Sequence, residues 1–202
     1  MAEMEAFEIL DELLGQGAFG SVFKARHISS GTFVAAKVVP NSKQDPAHAH
    51  SEAVLMRRLK HDNILGILGP AQELGIAPGR SPSMVLYLEL CETDLFTRVR
   101  AAGALTEPEG RHYLMQVMAA VQHMHTHGVA HRDLKLENIL VDSHDVCKVT
   151  DFGLAVSFER YASANERWLS EICGSRSYVA PEVLEEGGYD AFSVRAAHCA
   201  GS

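Results

Sequence analysis

The stretch His131-Arg132-Asp133-Leu134-Lys135-Leu136-Glu137-Asn138 sets a carboxylate, a cation and an amide within one short loop. Moving a phosphoryl group needs those three. Asp133 can orient and deprotonate an attacking hydroxyl, Lys135 can offset charge on the group in transit, and the Asn138 side-chain oxygen is a hard ligand for magnesium. A second carboxylate, Asp151, opens Asp151-Phe152-Gly153 and can bind the same kind of ion.

Two features nearer the start of the chain bear on the same chemistry. Gly15-Gln16-Gly17-Ala18-Phe19-Gly20 precedes Ser21 to Arg26, where Val22, Lys24 and Arg26 alternate with Ser21, Phe23 and Ala25. A strand therefore follows the glycines, not the helix that a dinucleotide-binding turn requires. Such a hairpin is either a flap whose N–H groups close over phosphates with no Cβ in the way, or an ordinary flexible turn. Lys37 ends Val34-Ala35-Ala36-Lys37. A lone Lys on a strand is solvated unless a carboxylate such as Glu52 partners it.

Positioning these groups takes an α+β chain of two parts. Strands are expected at Phe7 to Leu14, Ser21 to Arg26, Thr32 to Val39 (stopped by Pro40), Ile64 to Leu68 and Met84 to Leu90. A helix over about Ala47 to Leu59 places Ala53, Met56 and Leu59 on one side. Ala71 to Ser83 reads as a loop. Past a hinge at Glu89 to Cys91 the pattern turns helical. Thr106-x-x-Glu109 with Pro108 is a helix start, and Leu114, Val117, Met118, Val121 and Met124 form an apolar stripe that Gly128 ends. Short strands follow at Ile139 to Val141 and Cys147 to Val149. The expected division is a strand-rich lobe over 1–88, a hinge over 89–91, a helical lobe over 92–190 and an aberrant or unstructured tail over 191–202.

Composition narrows the partners. The chain has 202 residues, 47% of them hydrophobic, and a net charge of -8, which speaks against nucleic acid. Cys91, Cys147, Cys173 and Cys199 lack the spacing of a zinc site and are too few for a disulfide scaffold. Reduced thiols in the cytoplasm or nucleus are expected. The acidic start Met1-Ala2-Glu3-Met4-Glu5 has no signal-peptide core, and no apolar run reaches membrane-spanning length. Of the eleven histidines, only His123 and His127 among His123, His125 and His127 could converge on a metal; packed or exposed imidazoles are the default.

On these motifs, from about Phe7 to Asp190, the chain resembles the eukaryotic protein kinase family of serine/threonine type. The resemblance implies a bilobal α+β fold with a small β-rich lobe and an incomplete helical lobe. It implies ATP and Mg2+, and transfer of the γ-phosphoryl group to protein Ser or Thr hydroxyls. Catalysis falls to Asp133, Lys135, Asn138, Lys37 and Glu52, with Glu52 orienting Lys37 toward the α- and β-phosphates. The nucleotide falls to Leu14, Gly15, Gly17, Phe19, Gly20, Val22 and Ala35 with Lys37, then to Glu89 and Cys91 at the adenine, Asp94 at the ribose, Leu140, and Asp151. Asn138 and Asp151 are the implied metal ligands. Leu88 would be the gatekeeper, and Met56, Ile67, His131 and Phe152 an internal stack.

Within the segment closed by Ala180-Pro181-Glu182, Ser175 is expected against Asp133 and Lys135. Glu171 stands where relatives carry a phosphorylated Thr, so it either pairs with Arg132 or is a solvated loop residue; Ser170 is the neighbouring phosphosite. The implied partners are a Ser/Thr-bearing protein substrate and an upstream kinase acting on this segment, with no nucleic acid and no membrane span. Beyond Asp190 the sequence does not read as the hydrophobic helix that family members carry next. The expectation is a truncated, loosely held large lobe with weak activity, and the alternative reading is an ATP- or kinase-binding decoy or regulator.

Overall fold

β-branched and aromatic residues crowd the first part of the chain, and there they build a sheet. The computed structural model describes residues 7–17, 20–41, 46–69, 71–74, 82–158, 167–185 and 187–192. The chain divides into two units, one of residues 1–60 and 65–91, the other of 61–64 and 92–202.

In the first unit, β1 (Phe7–Gln16), β2 (Ser21–His27), β3 (Phe33–Pro40), β4 (Gln72–Leu74) and β5 (Ser83–Leu88) form one antiparallel sheet in the order β1-β2-β3-β5-β4. Side chains alternate across it. One face gathers Ala25, Val34, Ala36, Val85 and Tyr87 into a core, with Phe7, Ile9, Val38 and Leu68 packed on it. Each large apolar side chain buried there contributes about 1.5–3 kcal/mol. The other face carries Gly15, Val22 and Lys37 in register across three strands, since Gly15 pairs with Val22 and Val22 with Lys37. Ala35 lies on that same face, two residues before Lys37. The helix α1 (Pro46–Arg58) buries Ala49, Glu52, Ala53 and Met56 and packs on β5.

Gly20 has a structural reason to be glycine. A Cβ there would fall onto the Val38 carbonyl and within 3.2 Å of the Val39 Cα. At Gly15 the same atom meets nothing within 4 Å. Gly20→Ala should therefore cost about 1–3 kcal/mol of stability through forced backbone movement. Gly15→Ala should stay within about 0.5 kcal/mol of the parent. Urea unfolding of the two variants side by side checks both values.

The second unit is built from short strands and helices. β6 (Thr93–Asp94), β8 (Ile139–Val141) and β9 (Cys147–Val149) form a sheet ordered β6-β8-β9. α2 (Leu95–Ala102) starts on Asp94, whose Oδ1 accepts the Thr97 N–H at 2.8 Å. α3 (Glu107–Thr126) starts at Thr106, whose N–H donates to the Glu109 carboxylate at 2.8 Å. β7 (Val129–Ala130) pairs with β10 (Val156–Ser157), and β11 (Trp168–Leu169) with β12 (Tyr189–Asp190); α4 (Pro181–Leu184) lies between the last two. Leu95, Tyr113, Ile139, Val141 and Cys147 make the core beneath α2 and α3. The Tyr113 hydroxyl donates to Asp145 at 2.8 Å, and Arg98 reaches the same carboxylate at 2.8 Å. Burial first, then this bond, push the Tyr113 phenol up to about 12.

The α+β reading holds, with strands dominating the first unit and the longest helix in the second. Five details differ from the sequence expectation. Residues 64–68 make only isolated bridges at Ile64 and Ile67, and the expected loop after Ala71 contains β4. The helix α2 had no apolar stripe long enough to announce it. On α3 the buried positions are Tyr113, Ala120 and Met124, while Leu114, Met115 and Met118 are exposed. The buried face is thus rotated from the expected stripe, because the Tyr113 ring and the small Ala120 fit the packing.

The fifth concerns the tail. Ala191 is buried, and the Phe192 ring sits 4.8 Å from His125, 5.4 Å from Phe158 and 5.2 Å from the Arg167 guanidinium. These two residues are packed, so the boundary drawn after Asp190 falls too early. Residues 193–202 lie outside the described residues.

Candidate active site

In the first unit the Lys37 Nζ donates to Glu52 Oε1 at 2.7 Å. The pair is inside the protein, with the Lys37 side chain 15% exposed and that of Glu52 3%. β3 presents the lysine and the inner face of α1 the carboxylate. The second Glu52 oxygen, Oε2, is buried without a hydrogen-bond partner. Charge attraction in a poorly hydrated place therefore holds α1 to the sheet at one point. Leu14 is exposed at the end of β1, Gly17 donates its N–H to the Gly20 carbonyl at 2.8 Å, and Phe19 lies outside the described residues.

At the end of β5, Glu89 and Gly66 exchange two hydrogen bonds. The Glu89 N–H donates to the Gly66 carbonyl at 3.0 Å, and the Gly66 N–H donates to the Glu89 carboxylate at 3.2 Å. A Cβ on Gly66 would stand 2.7 Å from that carboxylate. This partnership is not legible in the linear sequence, because a glycine in an apolar run carries no pattern. Cys91 is in no disulfide and is partly exposed.

In the second unit everything converges on Asp133. Its Oδ2 accepts Lys135 Nζ at 2.8 Å and Asn138 Nδ2 at 3.2 Å, and its Oδ1 accepts the Ser175 N–H at 2.8 Å. Lys135 also donates to the Ser175 hydroxyl at 2.8 Å, and Asn138 to the Asp133 carbonyl at 2.9 Å. Burial pushes the Asp133 carboxyl up, but the hydrogen bonds from Lys135 and Ser175 outweigh it and hold the group below the usual carboxylate value. Gly174 makes the Ser175 contact feasible. It has φ +98°, and a Cβ would stand 2.7 Å from the Arg132 carbonyl.

The backbone around Asp133 is held by its neighbours. His131 is buried; its Nε2 donates to the Thr150 carbonyl at 2.9 Å, and its Nδ1 lies 3.3 Å from the Asp133 N–H. Its ring centroid is 5.0 Å from that of Phe152. Arg132 and Asp151 both have left-handed backbones, at φ 67° and 64°. Strain of this kind costs on the order of 1–3 kcal/mol per residue and persists where the surroundings impose it. Leu140 points away from the core side of β8, between buried Ile139 and Val141. Asp94 spends its two oxygens on Thr97, Oδ1 on the N–H and Oδ2 on the hydroxyl at 2.7 Å. Each oxygen keeps a further lone pair.

One family matches the motif order along the sequence. The family model of the protein kinase domain matches residues 9–194. The chain belongs to the protein kinase family. CBL-interacting protein kinase 16 of Oryza sativa subsp. japonica is 39% identical over 186 residues, covering 90% of this chain and 39% of that protein. CBL-interacting serine/threonine-protein kinase 15 of Arabidopsis thaliana is 35% identical over 193 residues, covering 93% of this chain and 44% of that protein. The chain thus spans about two-fifths of the length of these curated relatives.

Two further features of this kinase domain touch the catalytic loop. Arg132 donates from Nε to the Leu154 carbonyl and from Nη1 to Glu171 Oε2, each at 2.7 Å. It therefore ties both ends of the 154–171 stretch to the residue beside Asp133. Burial works against the Arg132 charge, but the Glu171 carboxylate outweighs it and the guanidinium is held above its usual value. The Glu171 carbonyl in turn accepts the Tyr189 hydroxyl at 3.0 Å. Cys147 is an inert structural thiol, pushed up to about 11 by burial. Among the described residues no helix is long and apolar enough to cross a membrane.

Proposed function

We propose that this domain transfers the γ-phosphoryl group of ATP to Ser or Thr hydroxyls of protein substrates, with Mg2+ on the nucleotide. The observation that carries the reading is the Asp133 carboxylate, ionised and fixed by Lys135, Asn138 and the Ser175 backbone. Its lowered basicity suits orientation of the hydroxyl, with the proton taken late, since the transferring group passes through a loose transition state. Lys135, bridging Asp133 and Ser175, is placed to offset charge on the group in transit. Lys37, aimed by Glu52, takes the α- and β-phosphates.

The residues fit the nucleotide and its ion. Around Gly15 and Gly17 nothing stands nearer than 4.0 Å to a hypothetical Cβ. The fold does not demand glycine there, whereas phosphates approaching the backbone do. Val22 and Ala35 share the Lys37 face and serve as the apolar floor for the nucleotide. Asn138 spends both amide hydrogens on Asp133, which leaves Oδ1 as its remaining acceptor. With the Asp151 carboxylate it makes an oxygen donor set of the kind magnesium prefers. Bound magnesium supplies neutralisation of phosphate charge. Asp94 is assigned to the ribose through the lone pairs that Thr97 leaves.

Glu171 is assigned the work of an activating phosphate, through Arg132. Its side chain is 66% exposed, so the pair is weak and screened by salt. Glu171→Gln should lower turnover about two- to fivefold at low ionic strength, the equivalent of about 0.5–1 kcal/mol. The parent should converge on the variant near 1 M salt, which a salt series of initial rates checks. The upstream kinase, with Ser170 as its target, then adds to an already partly ordered segment. The reduced thiols suit the cytoplasm, with the nucleus as the alternative compartment.

The test is direct. With Mg2+ and γ-labelled ATP, a mixed protein acceptor should gain label on phosphoserine and phosphothreonine. Label on tyrosine alone would refute the acceptor class, and no label at any enzyme concentration would refute the activity.

A further inference from the structure

Three imidazoles stand in a row in the second unit. The ring centroids of His61 and His123 are 4.8 Å apart and those of His123 and His127 4.2 Å, with interplanar angles of 39° and 34°. The rings meet tilted, and among the described residues no group of three or more His, Cys, Asp or Glu could hold a metal ion. The row instead joins two stretches of chain. His123 and His127 close α3, while His61 begins the strap 61–64, which belongs to the second unit although the chain on either side of it belongs to the first.

Hydrogen bonds hold the row to its surroundings. The Asn63 N–H donates to His61 Nδ1 at 3.0 Å. His123 Nε2 is buried with no hydrogen-bond partner, so a proton placed on it would be an unsatisfied donor. His127 Nδ1 donates to the His123 carbonyl at 2.8 Å. The charged groups that bear on His123 are His127 at its own helix end and His61 on the strap. Burial first, then these two imidazoles, hold His123 below the ordinary histidine value. The chain neighbours of His61 are Lys60 and Asp62, both exposed.

The strap carries more than His61. The Asn63 side chain donates to Gln116 Oε1 at 2.9 Å and to the Cys147 carbonyl at 3.1 Å. The Val149 N–H donates to the Asn63 carbonyl at 2.9 Å. Asn63 is thus fastened to β9, two residues before Asp151, and its own N–H is what His61 accepts.

We propose that the His61–His123–His127 row is a proton-operated latch: with His123 neutral it holds the strap 61–64 on the end of α3, and charging His123 releases the strap. A proton on the buried His123 Nε2 finds no acceptor while the row is closed, so charging His123 favours opening of the row. The sign follows. A buried histidine with a lowered value contributes stability that is fully present above the unfolded value near pH 6.5, and that is lost as pH falls through the lower folded value. Release frees the Asn63 carbonyl from Val149 and loosens the strand leading to Asp151. Any effect on phosphoryl transfer rests on the function proposed above; the latch itself does not.

NMR on the full, isotope-labelled chain tests it. Between pH 7.5 and 5.5 the His123 imidazole should titrate below 6.5, and hydrogen-exchange protection of the Val149 amide, corrected for intrinsic rate, should fall at least tenfold. His123→Phe, which keeps an apolar ring in the row, should hold Val149 protection constant over that range. The latch is overturned if parent Val149 protection does not change with pH, or if the same fall persists in His123→Phe. Should that variant not fold, the parent titration alone decides. A titrating latch in a chain that transfers no phosphate would leave the latch standing and remove the proposed activity.

Discussion

Asp133→Asn should reduce phosphate transfer by about 10²- to 10⁴-fold, the range for losing a positioned general base, with nucleotide KM almost unchanged. The amide keeps the size of the carboxylate and can still accept from Lys135 or the Ser175 N–H. It cannot take a proton from the hydroxyl. Steady-state kinetics with γ-labelled ATP measure both parameters. The pH dependence adds a second check. Asp133 lies below the usual carboxylate value, so its contribution is present above about pH 4 and lost only as pH falls through its lower folded value. The parent rate should show no limb from Asp133 between pH 5 and 8. A loss of activity in that window would belong to another group, the histidine latch first.

The second large effect lies at Lys37 and Glu52. Lys37→Met leaves a carboxylate buried with neither oxygen compensated, because Oε2 already has no partner. Breaking a buried ion pair from one side costs about 3–5 kcal/mol. The double variant Lys37→Met/Glu52→Gln removes the orphaned charge and should regain most of that stability while remaining inactive. Denaturant unfolding of the parent, both single variants and the double variant measures the cycle. Equal and additive losses would mean that the 2.7 Å contact does not govern how α1 is held.

Much of this was readable in the linear sequence, for a physical reason. The catalytic loop keeps Asp133, Lys135 and Asn138 within a few residues, so their side chains must meet, and they do. The strands of the first unit announced themselves through β-branched alternation, and Thr106 with Glu109 through local capping. What stayed hidden depends on contacts far apart in the chain. Gly66 is glycine because of Glu89, and Gly174 because of the Arg132 carbonyl. The buried face of α3 is chosen by Tyr113 and Ala120 rather than by its largest apolar residues. His61 joins His123 across sixty residues of sequence that no periodicity connects. Asp94 shows the converse: a residue assigned to ribose by resemblance also has a local task, capping α2, that the Thr97 spacing made available.

The proposed function requires Lys37 and Asp151 each to contribute to the binding of ATP with Mg2+. Isothermal titration of the chain with ATP in the presence of Mg2+ measures this most directly. The expected result is one nucleotide per chain, with affinity falling at least tenfold in Lys37→Met and again in Asp151→Asn, and with magnesium omitted. Binding that ignores either substitution, in a variant whose folding is intact, would contradict it.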